Sequence, residues 1–199
     1  MQELAQRTII DSMLQDKMRL LALIKTKSLE VGKPIKLASG KMSNMYIDAK
    51  MVTLDSEGAY LTAKVLFDSL ENEEFDAIGG LTMGADPIVG AFAAYSYSNN
   101  RPISTFIVRK EPKKHGKQNW IEGPLKNNSK VIVIDDVTTT GTSLFQAIEK
   151  IEETGCKILK VITLVDRMEG AKEFLKEKGY KLESIFDTSD LLKASDDLH

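Results

Sequence analysis

Apolar side chains recur at helical spacing over residues 8–24, where Ile10, Met13, Leu14, Met18 and Leu21 share a face and Ala22 favours the helix beside them. Gly32 and Pro34 break that period. The following stretch, IKLASGKMSNMYIDAK, sets turn-formers ahead of a short apolar run at 45–47 and predicts a hairpin-like unit. A second helical pattern starts at Ser56 and carries Ala59, Tyr60, Ala63, Val65, Leu66 and Leu70; a short buried strand over 75–80 follows, ended by Gly79 and Gly80. The pattern then predicts a helix over 87–97, a strand over 103–108 and a polar loop over 109–128, long enough to require a functional explanation. A β-branched run at 131–134 leads into a small polar turn and a helix with Leu144, Phe145, Ile148 and Ile151 on one face, capped by Gly155. A strand over 158–165, a helix over 171–178 and a short tail around Ile185, Phe186, Leu191 and Leu192 follow.

Strands alternating with helices imply an α/β fold whose mainly parallel sheet is covered on both faces. The 199 residues suit one domain, with a core over about 56–180 and a smaller unit formed by about 1–55 together with the tail. With 42% hydrophobic and 28% charged residues, disorder and fibrous classes are excluded. No apolar run reaches the roughly 18–20 residues of a membrane span, and acids and amides stand where a signal peptide would be apolar, so a cytoplasmic protein without membrane association is expected. Cys156 is the single cysteine, and with neither a disulfide partner nor a paired base it reads as structural. A net charge of −2 argues against nucleic-acid binding through the whole surface, so any anion site must be local.

Such a site is encoded at 131–143, VIVIDDVTTTGTS. A buried parallel strand that runs through a turn into a helix delivers that turn to the carboxyl edge of the sheet, where α/β proteins bind ligands. Thr138, Thr139, Thr140, Gly141, Thr142 and Ser143 offer hydroxyls and N–H groups at a helix N-terminus, which favours phosphate. The segment is not the GxxxxGKS/T nucleotide loop, because no lysine follows the glycine. Asp135 and Asp136 need partners if buried; ribose hydroxyls, alone or with a metal, would supply them, the alternative being an acid pair that caps the helix.

This segment resembles the phosphoribosyl-pyrophosphate-binding signature of type I phosphoribosyltransferases. The resemblance implies that family's fold, a mainly parallel central sheet flanked by helices with a small N-terminal hood. It implies phosphoribosyl pyrophosphate as cosubstrate and Mg²⁺ as cofactor, held mainly by the cosubstrate with Asp135 or Asp136 as the candidate protein ligand. On it, Asp135 and Asp136 meet the ribose hydroxyls, and Thr138, Thr139, Thr140, Gly141 and Thr142 hold the 5′-phosphate. GGLTMGADP (79–87) then reads as the pyrophosphate loop, with Thr82, Met83, Gly84 and Ala85 binding through backbone N–H groups because the lysine of some family members is absent; a plain strand-to-helix turn is the alternative.

RKEPKKHGK (109–117) sets five Lys/Arg residues and a His against one Glu. A solvated surface loop, a nucleic-acid patch and a cationic lid over departing pyrophosphate are the three readings. The stretch resembles the catalytic loop of orotate phosphoribosyltransferases, which implies catalytic roles for Arg109, Lys110, Lys113 and His115 and a homodimer with shared active sites. LASGKMSNMYIDAK (37–50) and LVDRMEG (164–170) resemble two further segments of those enzymes. They imply that Arg167 pairs with orotate's carboxylate, that Tyr46 lies against the pyrimidine and that Thr139 also faces orotate; a salt bridge from Arg167 to Asp166 or Glu169 is the alternative. Ala38 stands where some of these enzymes carry lysine, leaving Lys36 and Lys41 both as candidates. The implied reaction joins orotate to phosphoribosyl pyrophosphate in the route to UMP, giving orotidine 5′-monophosphate and pyrophosphate. The rivals are transfer to a purine or another base, and a non-catalytic nucleotide sensor that binds nucleic acid.

Overall fold

A computed structural model describes residues 2–36, 42–112 and 120–193. Helix α1 (Gln2–Leu23) runs into a π-helical turn (Ile24–Ser28), and β1 (Leu29–Lys36) then pairs antiparallel with β2 (Met42–Ile47) as a separate two-stranded sheet. After α2 (Lys50–Thr53) and α3 (Ser56–Ser69) come β3 (Ala77–Leu81), α4 (Ala85–Ser98), β4 (Ser104–Val108), β5 (Ile121–Glu122), β6 (Lys130–Thr138) and α5 (Thr142–Glu152). The last elements are β7 (Lys157–Asp166), α6 (Ala171–Glu177), β8 (Leu182–Asp187) and α7 (Thr188–Leu192). The main sheet has the order β5-β4-β3-β6-β7-β8 and is parallel except for β5. No helix of the described residues is long and apolar enough to cross a membrane.

Period-two alternation along β6 explains both layers. Val131 and Val133 pack with Leu144, Ile148 and Ile151 of α5 and Leu175 of α6, whereas Ile132 and Ile134 pack with Leu66 of α3 and Ile88, Val89 and Phe92 of α4. Leu20 and Ile24 join Val52, Leu61, Leu164 and Phe186 in a third cluster that ties the N-terminal unit to the sheet. The expected apolar face of α1 is only partly used: Ile10 and Leu14 are exposed because the helix extends beyond the core it packs on. The segment read as a tail is instead β8, the sheet's edge strand beside β7, followed by a helix that Asp187 caps.

Gly79 and Gly80, expected to end a strand, lie inside β3 and are buried. A Cβ on Gly80 would stand 1.9 Å from the Ile134 carbonyl oxygen and 2.9 Å from the Ala85 Cβ, and one on Gly79 would stand 2.4 Å from Phe106. The missing side chains let β3, β6 and α4 approach closely.

The chain passes from β3 through α4 to β4 on one side, then crosses to β6 on the other, so strand order reverses between β3 and β6. Their pairing ends at Gly79↔Val133, while β6 continues alongside β7 to Thr138. A crevice therefore opens at the carboxyl edge beside residues 135–138, the position where open α/β sheets bind ligands.

Gly80→Ala should destabilise the protein by roughly 2–3 kcal/mol, lowering the melting temperature by about 5–10 °C. Gly90→Ala, on α4 with nothing within 4 Å of the added carbon, should raise stability by about 0.5–1 kcal/mol. Calorimetric melts read both, and a loss at Gly90 or neutrality at Gly80 would contradict this packing.

Candidate functional site

Asp135 and Asp136 sit near the end of β6, past the last residue that β3 pairs. The Thr138 hydroxyl donates to Asp135 Oδ2 (3.1 Å), and the Val137 N–H donates to Asp136 Oδ1 (2.8 Å). Thr138 is thus the last strand residue rather than part of the turn, and its side chain is buried against the acid pair. Burial first, and the Asp136 charge second, push the Asp135 carboxyl up to about 7. Burial also raises Asp136, opposed by the Val137 N–H and by Lys50. Neither acid caps a helix: the N-cap of α5 is Gly141, in a left-handed conformation at φ 81°. Thr140 and Thr142 are exposed, their hydroxyls 3.2 Å apart at the start of α5, and Thr139 lies between them and the acids in sequence.

The 82–85 loop closes the other side of the crevice. Thr82 Oγ1 donates to Asp86 Oδ2 (2.7 Å), the Thr82–Met83 peptide is cis, Met83 is exposed and Ala85 is buried as the first residue of α4. A Cβ on Gly84 would lie 2.3 Å from Asp136 Oδ1 and 3.2 Å from Asp135 Oδ1, so a side chain here would have to displace the Asp136 carboxylate. The 82–85 loop therefore meets the acid pair of the 131–143 segment across the switch point.

Arg109 and Lys110 stand at the foot of the β4–β5 hairpin. The Arg109 N–H donates to the Trp120 carbonyl (2.8 Å), and its side chain reaches Glu122 Oε1 (3.2 Å) and the Glu111 carbonyl (3.2 Å). Both cations line two cavities of about 450 Å³ each, one shared with Thr82 and Asp86 and the other with Trp120, Ser143 and Lys150. Lys150 Nζ lies 4.7 Å from the Trp120 ring centre, which anchors the returning strand of the hairpin to α5. Lys113, His115, Ala38, Lys41 and His199 lie outside the described residues.

Arg167 follows β7 and is almost fully buried. Its N–H donates to the Thr138 carbonyl (3.0 Å), while Nη2 donates to the Met45 carbonyl (3.1 Å) and pairs with Glu169 Oε1 (2.8 Å). Main chain and side chain of Arg167 together thus link the end of β6 to the small sheet, and the ion pair with Glu169 is present alongside. Tyr46, next to Met45 on β2, is partly exposed.

Sequence reasoning passed over Lys50. Its ammonium is 2.7 Å from Asp48 Oδ1 and 3.9 Å from Asp136 Oδ2; Asp48 holds it above the ordinary lysine range, against burial, with Asp136 adding to the effect. The signal was present as the last residue of the 37–50 segment, in the alternation Tyr46, Asp48, Lys50. Among the described residues no group of three or more His, Cys, Asp or Glu side chains could cage a metal alone.

Residues 55–187 match the model of the phosphoribosyl transferase domain family. The orotate phosphoribosyltransferase of Aquifex aeolicus is 44% identical over 179 residues, covering 89% of this chain and 98% of that protein. That of Rhodopseudomonas palustris strain TIE-1 is 43% identical over 178 residues, 87% and 95% of the two chains. The orotate phosphoribosyltransferase of Mycobacterium tuberculosis H37Rv, solved with Fe(III) dicitrate, superposes with a TM-score of 0.78 at 32% identity, covering 89% and 99%. The same enzyme solved with 5-phospho-α-D-ribosyl 1-diphosphate gives 0.73 at 30%, covering 88% and 98%. An adenine phosphoribosyltransferase from Thermoanaerobacter pseudethanolicus, at 17% identity, 0.61 and coverage of 84% and 99%, shares the fold.

Because the folded Asp135 carboxyl binds its proton more tightly than the unfolded one, its contribution to stability is complete below about pH 4 and is lost as pH rises through about 7. In EDTA and without ligand, melting temperature should fall between pH 5 and pH 8. Asp135→Asn should flatten that slope and gain on the order of 2 kcal/mol at pH 8, about 5 °C, after discounting for the open crevice edge. An unchanged slope in this variant would place the titrating group elsewhere.

Proposed function

The chain belongs to the phosphoribosyltransferase family, among its orotate phosphoribosyltransferases, and from that membership we propose that it makes orotidine 5′-monophosphate for de novo pyrimidine synthesis. It transfers the 5-phosphoribosyl group from phosphoribosyl pyrophosphate to orotate: a ring nitrogen of orotate bonds to the anomeric carbon as the bond to the pyrophosphate oxygen breaks. The observation that carries this reading is the switch point, where Gly84 brings the 82–85 loop against two sheltered carboxyl groups that have one lysine ammonium, 3.9 Å from Asp136, as counter-charge.

In this site Asp135 and Asp136 accept from the ribose hydroxyls, whose donation relieves the burial of the pair. Thr139, Thr140, Gly141 and Thr142 take the 5′-phosphate at the start of α5, with Thr138 holding Asp135 in place. The N–H groups of 82–85 take pyrophosphate, and Arg109, Lys110, Lys113 and His115 stabilise the charge that develops as it leaves. Arg167 pairs with the orotate carboxylate and Tyr46 lies against the ring, with Thr139 nearby; Glu169 holds the guanidinium until orotate replaces it. Asp135 and Asp136 are the hard oxygen donors a Mg²⁺ ion takes, which fits an ion held mainly by the cosubstrate and completed by one carboxylate. That ion, when bound, supplies neutralisation of the pyrophosphate charge. The working unit is a cytoplasmic homodimer in which the basic segment 109–117 serves the neighbouring site, without nucleic acid or membrane.

Orotate-dependent release of pyrophosphate from phosphoribosyl pyrophosphate, stimulated by Mg²⁺, tests the reaction; turnover of adenine, hypoxanthine or uracil without orotate turnover would assign another acceptor. Arg167→Gln should raise the KM for orotate by roughly 10–100-fold. Lys113→Ala should depress kcat far more than cosubstrate affinity. Mixing Lys113→Ala with Asp136→Ala subunits should restore part of the activity, and absence of complementation would remove the shared-site dimer.

A further inference from the structure

Lys50 reaches the ribose crevice from outside the main sheet, and its aim is fixed by the backbone. Asp48, two residues earlier, donates its N–H to the Ser28 carbonyl (3.0 Å) and accepts at its own carbonyl from Ser28 Oγ (2.6 Å). Ala49 is fully buried, and the Lys50 N–H donates to Asp48 Oδ1 (3.1 Å) as α2 begins. The segment is thereby pinned to the π-helical turn below α1. Its ammonium is shared unequally: 2.7 Å from Asp48 Oδ1 is a charge-assisted hydrogen bond, whereas 3.9 Å from Asp136 Oδ2 is an ion pair without one.

We propose that Lys50 is a positioning residue for the ribose diol: held by Asp48 at ion-pair distance from Asp136, it steadies the Asp136 carboxylate and leaves Oδ2 to accept from the ribose hydroxyls. The inference rests on the transferase reading above. Its physical content is that Asp136 must remain a charged acceptor without being permanently occupied. A full hydrogen bond from Lys50 would compete with the diol, and no cation at all would leave two adjacent carboxylates unrelieved. Asp48 resolves the conflict by holding the ammonium within reach yet off the acceptor. Lys50 and Asp48 consequently act as one device, which a double-mutant cycle detects.

Steady-state kinetics with orotate and phosphoribosyl pyrophosphate provide the test. Lys50→Met should raise the KM for phosphoribosyl pyrophosphate about tenfold, with kcat and the KM for orotate changed less than about threefold and the melting temperature close to wild type. Lys50→Arg should recover most of the loss. Asp48→Asn should also raise that KM, by releasing the ammonium onto Asp136, yet should add nothing in the Lys50→Met background. A wild-type KM in Lys50→Met, failure of Lys50→Arg to rescue, or full multiplication of the two single effects overturns the proposal. A wild-type protein that does not turn over orotate is a separate failure, of the acceptor assignment. Calorimetric binding of phosphoribosyl pyrophosphate then decides for Lys50: weakened binding by Lys50→Met upholds its role, and unchanged binding ends it.

Discussion

Two adjacent carboxylates at the end of a buried strand are the constraint around which the rest of the molecule is arranged. Asp135 and Asp136 must be sheltered enough to be rigid, yet every ångström of shelter disfavours their charge. The fold meets this with partial satisfaction: one threonine hydroxyl, one backbone N–H and one lysine at 3.9 Å. Early termination of the β3–β6 pairing keeps the crevice open, and the absent side chain of Gly84 lets the opposite loop approach without sealing it. The frustration is local because the hydrophobic layers on both faces of β6 are complete up to Ile134, so one costly edge is carried by a well-packed strand.

The cations of the site follow a related pattern. Arg109 rests on Glu122, Arg167 on Glu169 and Lys50 on Asp48. Each partner lies within a few residues of the cation or on the adjoining strand. Such local pairs have a modest net worth where solvent reaches them, as at Arg109 and Lys50; Arg167, nearly buried, is bound more firmly.

The helix and strand alternation, the strand–turn–helix at 131–143 and the hairpin near the N-terminus were legible because each rests on local pattern, periodicity or turn chemistry. What escaped depends on contacts distant in sequence. Gly79 and Gly80 looked like strand terminators because a lone sequence does not reveal Phe106 and Ile134 closing on them. Residues 182–187 looked like a tail because their alternation is weak and their partner strand is already flanked on the other side by β6. Thr138 looked like turn because residue type alone does not tell a strand-end hydroxyl bonded to Asp135 from one facing solvent. Lys50 was invisible for the same reason: Asp136 lies 86 positions farther along the chain.

The adenine phosphoribosyltransferase at 17% identity shares the fold over 84% of this chain, and a shared fold does not by itself set the acceptor. On the proposed reading Arg167 meets the acceptor, and both its charge and its connections bear on that task. Its main chain is bonded to Thr138, beside the acid pair, while its side chain is bonded to Met45, beside Tyr46. A ligand carboxylate that draws the guanidinium from Glu169 therefore acts on a group that already spans the small sheet and the cradle strand. A neutral base has no comparable hold on that group, because it offers neither the charge nor the paired acceptors of a carboxylate. On the proposed reading, discrimination comes from a carboxylate engaging a guanidinium group whose residue already links the small sheet to the cradle strand.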